Sequence, residues 1–255
     1  MKNVFRPLWV AALLLSIVPW TVRAQSTVVL IAPGGIQAPF DELLPRFESK
    51  RGEKVQATFA AVGVTTKKVL NGESFDVAVV QAPYKAVVAS GNVVPSSATP
   101  LASVAVGVAV AHRAPNPDIS TPEAVKRMLL AAKSVTYPNP ALGSAAGTSF
   151  TNTLKELGIL QQVQAKAVLG QTGADSMDKV AKGEAEVGLT FISEMDVPGI
   201  DAVGPLPAQI SNPTQLVGFV SSHAKNPVGA KALLQSLSAP DAAPFFQKHR
   251  MTSAH

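Results

Sequence analysis

The feature that most constrains this chain is an alternation of short, β-branched apolar runs with longer amphipathic stretches. The runs have the length and composition of buried strands, and the stretches between them have apolar residues at helical spacing. The first cycle consists of the strand candidates 26–32, 54–60 and 75–81 and the helix candidates 39–52 and 65–73. A later cycle, predicted as strand, helix and strand, covers residues 165–193. Strands joined by helices pair in parallel and are covered by those helices, so the pattern predicts an α/β fold.

Two segments lie where the chain would pass between separate α/β sets. A long β-rich run at 102–112 follows the first set, and the region near 195–205 follows the second. Two such crossings produce two lobes joined by a two-strand hinge, with a ligand cleft at the carboxyl ends of the strands. We therefore expect a first lobe of residues 25–104 and 203–255 and a second lobe of residues 105–202. Each lobe is expected to contain a mostly parallel sheet flanked by helices.

Residues 1–24 have the layout of a secretory signal peptide. A positively charged start precedes a 13-residue apolar run from residue 8 to residue 20, and Val22 and Ala24 place small residues before the cleavage site. The alternative interpretation is a membrane anchor, which needs roughly 20 apolar residues. Because the run is shorter than that, we expect an exported protein that lies in the periplasm after cleavage.

The composition excludes several classes of site and partner. Cysteine is absent and the four histidines show no metal-ligand spacing, so we expect no disulfide, no thiolate chemistry, no metal and no cofactor. The net charge of +5 overstates the basic character, because residues 1–24 contain three basic residues and no acidic one. The remaining 19 basic and 17 acidic residues give no reason to expect nucleic-acid binding. We expect a monomer.

Turns rich in small residues are the candidate binding segments, because backbone N–H groups at helix starts attract anions. Such turns lie at 33–36, 61–66 and 142–149, each directly before a helix candidate, and a glutamine follows the strand at 75–80. For each segment the alternative interpretation is an ordinary turn or helix cap. The ten residues offered to a ligand are Gly34, Gly35, Ile36, Gly63, Thr65, Gln81, Ser144, Gly147, Thr148 and Phe191.

Four longer segments resemble the type II periplasmic solute-binding proteins, and specifically their molybdate-binding branch. These segments are residues 73–94, 116–147, 183–194 and 225–251. The resemblance extends over the whole mature chain and implies the two-lobed periplasmic binding protein type II fold. It also implies that an ABC permease in the inner membrane receives the ligand.

The oxyanion-binding positions of that branch are changed in this chain. Its first loop has Gly34, Gly35 and Ile36 where molybdate-binding members have an Ala-Ser pair. Residues 61–64 read Ala-Val-Gly-Val in place of a Ser-Gly loop, and Phe191 stands where those members usually have a tyrosine. Desolvating a divalent oxyanion without hydroxyl donors is costly. The resemblance therefore implies a small organic anion, a carboxylate, rather than molybdate.

The functional alternatives differ in whether the cleft only binds its ligand. The Gly-Gly loop, Gln81 and residues 191–194 are similar to an exported offshoot of the branch that includes aconitate isomerase. An isomerase of this type interconverts trans- and cis-aconitate without a cofactor by allylic proton transfer. Glu194 would be its base if burial raised its pKa, although a hinge hydrogen bond is the plainer interpretation. A third hypothesis is a ligand sensor that docks on a membrane partner.

The signal-peptide hypothesis predicts a defined mature N-terminus. Expression with residues 1–24 intact in a bacterium that exports proteins should yield periplasmic protein beginning at Gln25, because the small residues before it suit signal peptidase. Intact mass and N-terminal sequencing of the periplasmic fraction measure this. Protein that keeps residues 1–24 and stays with the membrane fraction would contradict it.

Overall fold

The structure is a computed structural model that describes residues 26–254. The proposed signal peptide, residues 1–24, lies outside the described residues. The strands are β1 (Thr27–Pro33), β2 (Lys54–Ala60), β3 (Val77–Gln81), β4 (Thr99–Val104), β5 (Val106–Ala111), β6 (Val135–Thr136), β7 (Val187–Phe191), β8 (Ile200–Pro205), β9 (Thr214–Val220) and β10 (Thr252–Ser253). The α-helices are α1 (Gln37–Arg51), α2 (Val62–Leu70), α3 (Lys85–Ala89), α4 (Pro122–Ala131), α5 (Ala145–Glu156), α6 (Leu160–Gln164), α7 (Gly173–Ala181), α8 (Pro227–Leu237) and α9 (Ala243–Lys248).

The strands within residues 26–254 form two separate sheets. The first has the order β10-β4-β9-β3-β1-β2, and the second has the order β6-β7-β5-β8. Helices α1, α2 and α8 pack against the first sheet, and α5 and α7 pack against the second. The central strands β3 and β7 are almost entirely buried, as expected for strands covered by helices. No helix in this described part of the chain is long and apolar enough to cross a bilayer.

The predicted α/β fold with two sheets is confirmed, but the expectation of mostly parallel sheets is wrong. Parallel pairs are β1 with β2, β1 with β3, and β6 with β7. The other pairs are antiparallel, and they include all those made by β4, β5, β8 and β9. These four strands flank the two crossings between the sheets. Helix-linked strands pair in parallel, whereas strands that carry the chain into or out of a sheet enter in the opposite direction.

The chain crosses between the sheets at two short connections. β4 and β5 are separated by the single residue Ala105, where the chain enters the second sheet, and the return runs through residues 206–213 between β8 and β9. The lobe boundaries expected from the sequence (25–104 with 203–255, and 105–202) stay a prediction, which the separation into two sheets supports.

The expectation of a strand at 165–171 is wrong. Only isolated bridges occur there, joining Val135 to Ala167 and Pro138 to Gly170. Four backbone hydrogen bonds join residues 166–170 to residues 135–139, so the segment runs beside β6. Because β6 is only two residues long, this pairing stays limited to isolated bridges and forms no continuous strand.

The buried side chain of Asp76 connects several elements of the first sheet. Its carboxylate accepts hydrogen bonds from the N–H of Val29 in β1 (2.8 Å) and from the N–H of Asn226 before α8 (2.9 Å). Its backbone carbonyl accepts from the N–H of Ser221, directly after β9 (2.9 Å). Asp76, which directly precedes β3, thus accepts hydrogen bonds from β1, from the residue after β9 and from the residue before α8.

Loss of this carboxylate is predicted to destabilise the fold. Asp76→Ala should lower the free energy of unfolding by about 2–4 kcal/mol, because two backbone N–H groups lose their acceptor in a buried environment. Urea denaturation followed by circular dichroism measures the change. The control is Asp196→Ala at an exposed position, expected to change stability by less than about 0.5 kcal/mol. Equal effects of the two substitutions would contradict the prediction.

Candidate functional site

A cleft of about 490 Å³ lies where residues from both sheets and their following turns meet. The starts of α1, α2, α5 and α7 all face it. Nine of the twenty lining residues are alanine or glycine, and two are phenylalanines. The lining residues are Gly34, Gly35, Gln37, Ala38, Asp41, Phe59, Ala60, Ala61, Val62, Leu142, Ser144, Ala145, Ala146, Gln171, Thr172, Gly173, Ala174, Phe191, Ser193 and Glu194.

The start of α1 follows directly from the end of β1. Gly34 to Ile36 form a single 3-10 turn between the strand and the helix, and Ile36 is fully buried beneath it. A Cβ atom on Gly35 would lie 3.3 Å from the Phe191 ring, so the absence of a side chain lets this turn approach the second sheet closely. The backbone of Gly34 and Gly35 therefore lines the cleft without side-chain cover.

The starts of α5 and α7 have matching caps. Ser144 Oγ accepts the N–H of Gly147, and Thr172 Oγ1 accepts the N–H of Asp175, each at 3.1 Å. Each cap uses the third N–H of its helix. The first two N–H groups of a helix have no intrahelical partner, and here they belong to residues that line the cleft, 145–146 in α5 and 173–174 in α7.

Two hydrogen bonds join the two lobes beside the cleft. The Gly63 N–H in α2 donates to the carbonyl of Gly143 before α5 at 3.2 Å. A Cβ atom on either glycine would lie 3.1 Å from the Cα of the other, which a side chain would prevent. Ser193 Oγ donates to the carbonyl of Gly35 at 3.0 Å. These contacts describe a closed arrangement of the lobes.

Glu194 brings a carboxyl group to the cleft. It ends the 3-10 turn after β7, and its Oε2 accepts the Thr190 hydroxyl at 2.5 Å. Burial raises the pKa of Glu194 above its usual value, while hydrogen bonds from Thr190 and the Phe191 backbone oppose part of that rise. A carboxyl group with a raised pKa at a cleft surface is suited to exchange a proton with a ligand.

The charged residues of the cleft are acidic. Asp41 and Glu194 line it, and among the described residues that line it there is no Lys or Arg. No group of three or more His, Asp or Glu side chains within residues 26–254 is placed to hold a metal ion. Positive potential in the cleft therefore comes from the helix starts, each equivalent to about half a unit charge.

The structure brings together only part of the set expected from the sequence. Gly34, Gly35, Ser144 and Phe191 line the cleft. Gly63 contacts Gly143 beside the cleft, and the others lie outside the lining. Ile36 and Thr65 are buried, and Gln81 lies at the end of β3. Gly147 has no side chain, which makes room for Pro138, and the Thr148 hydroxyl donates to the Ser144 carbonyl. A ligand role for all ten residues stays a prediction.

The start of α7 lies in the cleft although its sequence does not indicate a binding segment. Residues 172–176 have the pattern of an ordinary helix cap, and Asp175 would repel an anion. The cap is present, yet Thr172 and Gly173 also line the cleft. The glycine at the first position of this helix, Gly173, was the available sign of a close approach. Its missing side chain leaves room for the Glu194 carboxyl and the Thr190 hydroxyl.

Comparisons with known proteins agree with this architecture. Residues 28–251 match the family described as bacterial extracellular solute-binding protein. An aconitate isomerase from Pseudomonas sp. is 34% identical over 242 residues, covering 91% of this chain and 90% of that protein. The molybdate-binding protein ModA of Azotobacter vinelandii is 26% identical over 226 residues, covering 86% of this chain and 87% of that protein.

Solved structures share the fold at low sequence identity. The periplasmic molybdate-binding protein of Azotobacter vinelandii superposes with a TM-score of 0.72 at 16% identity, covering 88% of this chain and 98% of that one. The sulfate-binding protein SubI of Mycobacterium tuberculosis superposes with a TM-score of 0.73 at 16% identity, covering 90% and 88%. The fold is that of the type II periplasmic binding proteins, and the chain belongs to the bacterial extracellular solute-binding protein family.

Proposed function

We propose that this protein binds a small organic anion, a carboxylate, in the cleft between its lobes and delivers it to an ABC permease from the periplasm. The observation that carries the proposal is the convergence of the starts of α1, α2, α5 and α7 on one cleft. Exposed N–H groups and helix dipoles at these starts attract negative charge without any basic side chain.

The lining favours a ligand with a carbon skeleton. Phe59, Phe191 and several alanines supply apolar surface, while the polar groups are few and lie at the helix starts. A volume of about 490 Å³ is within the range of sites for small organic ligands. A bare tetrahedral oxyanion would leave much of this apolar surface unfilled.

Closure of the lobes supplies the capture step. The hydrogen bond from Gly63 to Gly143 and that from Ser193 to Gly35 form only when the lobes are together. A ligand that contacts helix starts from both lobes binds the closed state more tightly than the open one, and this difference drives closure. A permease can then distinguish the loaded protein from the empty one.

Aconitate isomerase activity is the second candidate function. It is supported by the 34% identity to the Pseudomonas enzyme over nearly the whole of both chains and by the carboxyl group of Glu194 in the cleft. In this mechanism the Glu194 carboxylate removes a proton from the CH₂ carbon, and the electron pair shifts across the allylic system. The same carboxyl returns the proton to the former alkene carbon, so no other reactant is consumed.

Binding is predicted to depend on the start of α5. Isothermal titration of the mature protein against citrate, trans-aconitate, succinate, malate and acetate should give heat with at least one of them. Ala145→Asp should weaken that binding roughly tenfold or more, because it adds a negative charge at cleft-lining N–H groups. The control Val228→Asp adds the same charge to the first turn of α8 at an exposed position outside the cleft lining. Absence of heat with every acid, or equal effects of the two variants, contradicts the proposal.

The isomerase candidate makes a separate prediction. The purified protein should convert trans-aconitate to cis-aconitate without cofactor, followed by proton NMR, and Glu194→Gln should abolish turnover while retaining binding. Because the pKa of Glu194 is raised, the active carboxylate form is lost as pH falls through that pKa, so turnover should decrease on the acid side. Binding of trans-aconitate without any conversion by the wild-type protein would exclude this function and leave the binding proposal intact.

A further inference from the structure

The carboxyl group of Glu194 occupies the start of α7. A Cβ atom on Gly173, the first residue of α7, would lie 2.6 Å from Glu194 Cδ and 2.5 Å from Thr190 Oγ1. Only a glycine at this position allows the carboxyl to stand against the helix. The Thr190 hydroxyl donates to Oε2, and the Phe191 backbone provides a further hydrogen bond. Residues close to Glu194 in the sequence therefore fix the position of its carboxyl group.

The other helix starts in the cleft differ from α7 in charge. In the described part of the chain, the first turns of α1, α2 and α5 and the 3-10 turn before α1 contain no acidic residue. The first turn of α7 contains Asp175, which accepts the Gln171 N–H at 2.8 Å and pairs with Lys179 at 3.4 Å. Glu194 adds a second carboxyl at the same start. Two carboxyl groups of the protein therefore lie beside the start of α7.

We infer that Glu194 determines ligand specificity. Its carboxyl group lies where an anion would otherwise bind at the start of α7, so the ligand places a hydroxyl or an acidic C–H opposite it. This inference rests on the proposed binding of a carboxylate in the cleft. The ligand's carboxylates lie at the starts of α1, α2 and α5, whose first turns contain no acidic residue. A ligand carboxylate opposite Glu194 would face like charge in a site without Lys or Arg among its described lining residues.

The Glu194 oxygen on the side of Gly35 is the atom that we expect to contact the ligand. Oε2 is engaged by Thr190, and Oε1 lies on the side of Gly35, where a Cβ atom on that glycine would be 4.0 Å away. Oε1 therefore accepts a ligand hydroxyl in a charge-assisted hydrogen bond, which is stronger than a neutral one. In an isomerase the same oxygen would face the carbon that loses its proton.

Matched acids that differ by one hydroxyl test this inference. Isothermal titration compares malate with succinate and citrate with tricarballylate on the wild-type protein, Glu194→Gln and Asp41→Asn, with trans-aconitate as a further probe. Asp41→Asn is the control, because it removes the other cleft-lining negative charge from an exposed position in α1. Thermal melting followed by circular dichroism checks that all three proteins are folded.

The wild-type protein should prefer the hydroxylated member of at least one pair by about tenfold, as a charge-assisted hydrogen bond provides. Glu194→Gln should reduce that preference to about twofold or less and should bind the unhydroxylated acid more tightly, while Asp41→Asn keeps the preference. A wild-type protein that binds both members equally, or prefers only the unhydroxylated ones, overturns the inference. A preference for the hydroxylated acid that survives Glu194→Gln, or that is lost equally in Asp41→Asn, also overturns the inference. Binding of other organic anions but of none of these five acids overturns it as well. If no organic anion binds to any of the three proteins, it is the proposed function itself that fails.

Discussion

Backbone N–H groups at the starts of α1, α2, α5 and α7 are the groups on which the proposed site depends, although the Gly63 N–H of α2 already donates to the Gly143 carbonyl. In solvent these groups would be satisfied by water. Here strand ends and short turns from two lobes direct them into one cleft whose remaining surface is mainly carbon. Because the site contains no Lys or Arg among its described lining residues, its positive potential depends on helix position, and separation of the lobes would divide it between α1 and α2 on one side and α5 and α7 on the other.

Glycine is required where these helix starts approach another part of the chain. Gly35 lies against the Phe191 ring, Gly63 contacts Gly143 across the lobes, and Gly173 leaves room for the Glu194 carboxyl. In each case a side chain would force apart groups that the cleft needs close together. The same small residues that resemble ordinary turns in the sequence thus set the distance between the lobes and the position of the cleft's buried acid.

The sequence predicted the strand and helix cycle well because burial imposes a period on apolar residues. The segments at 26–32 and 54–60 correspond to β1 and β2 within one residue, and Gly34 and Gly35 identified a turn before α1 that lines the cleft. Strand direction was not predictable in this way, since the crossings insert β4, β5, β8 and β9 antiparallel. The segment 165–171 has the composition of a strand, but its pairing with residues 135–139 is limited to isolated bridges.

The sequence by itself determined that this chain folds as two helix-covered sheets and that small residues open several of its helices. It also limited the chemistry, because a chain without cysteine and with four scattered histidines cannot build most metal or thiolate sites. Only the tertiary structure decided which helix starts share a cleft, and that Glu194 stands at one of them beside Thr190 and Gly173. These residues are separated along the chain, and the charge around a carboxyl depends on which elements pack against it, which no local pattern records.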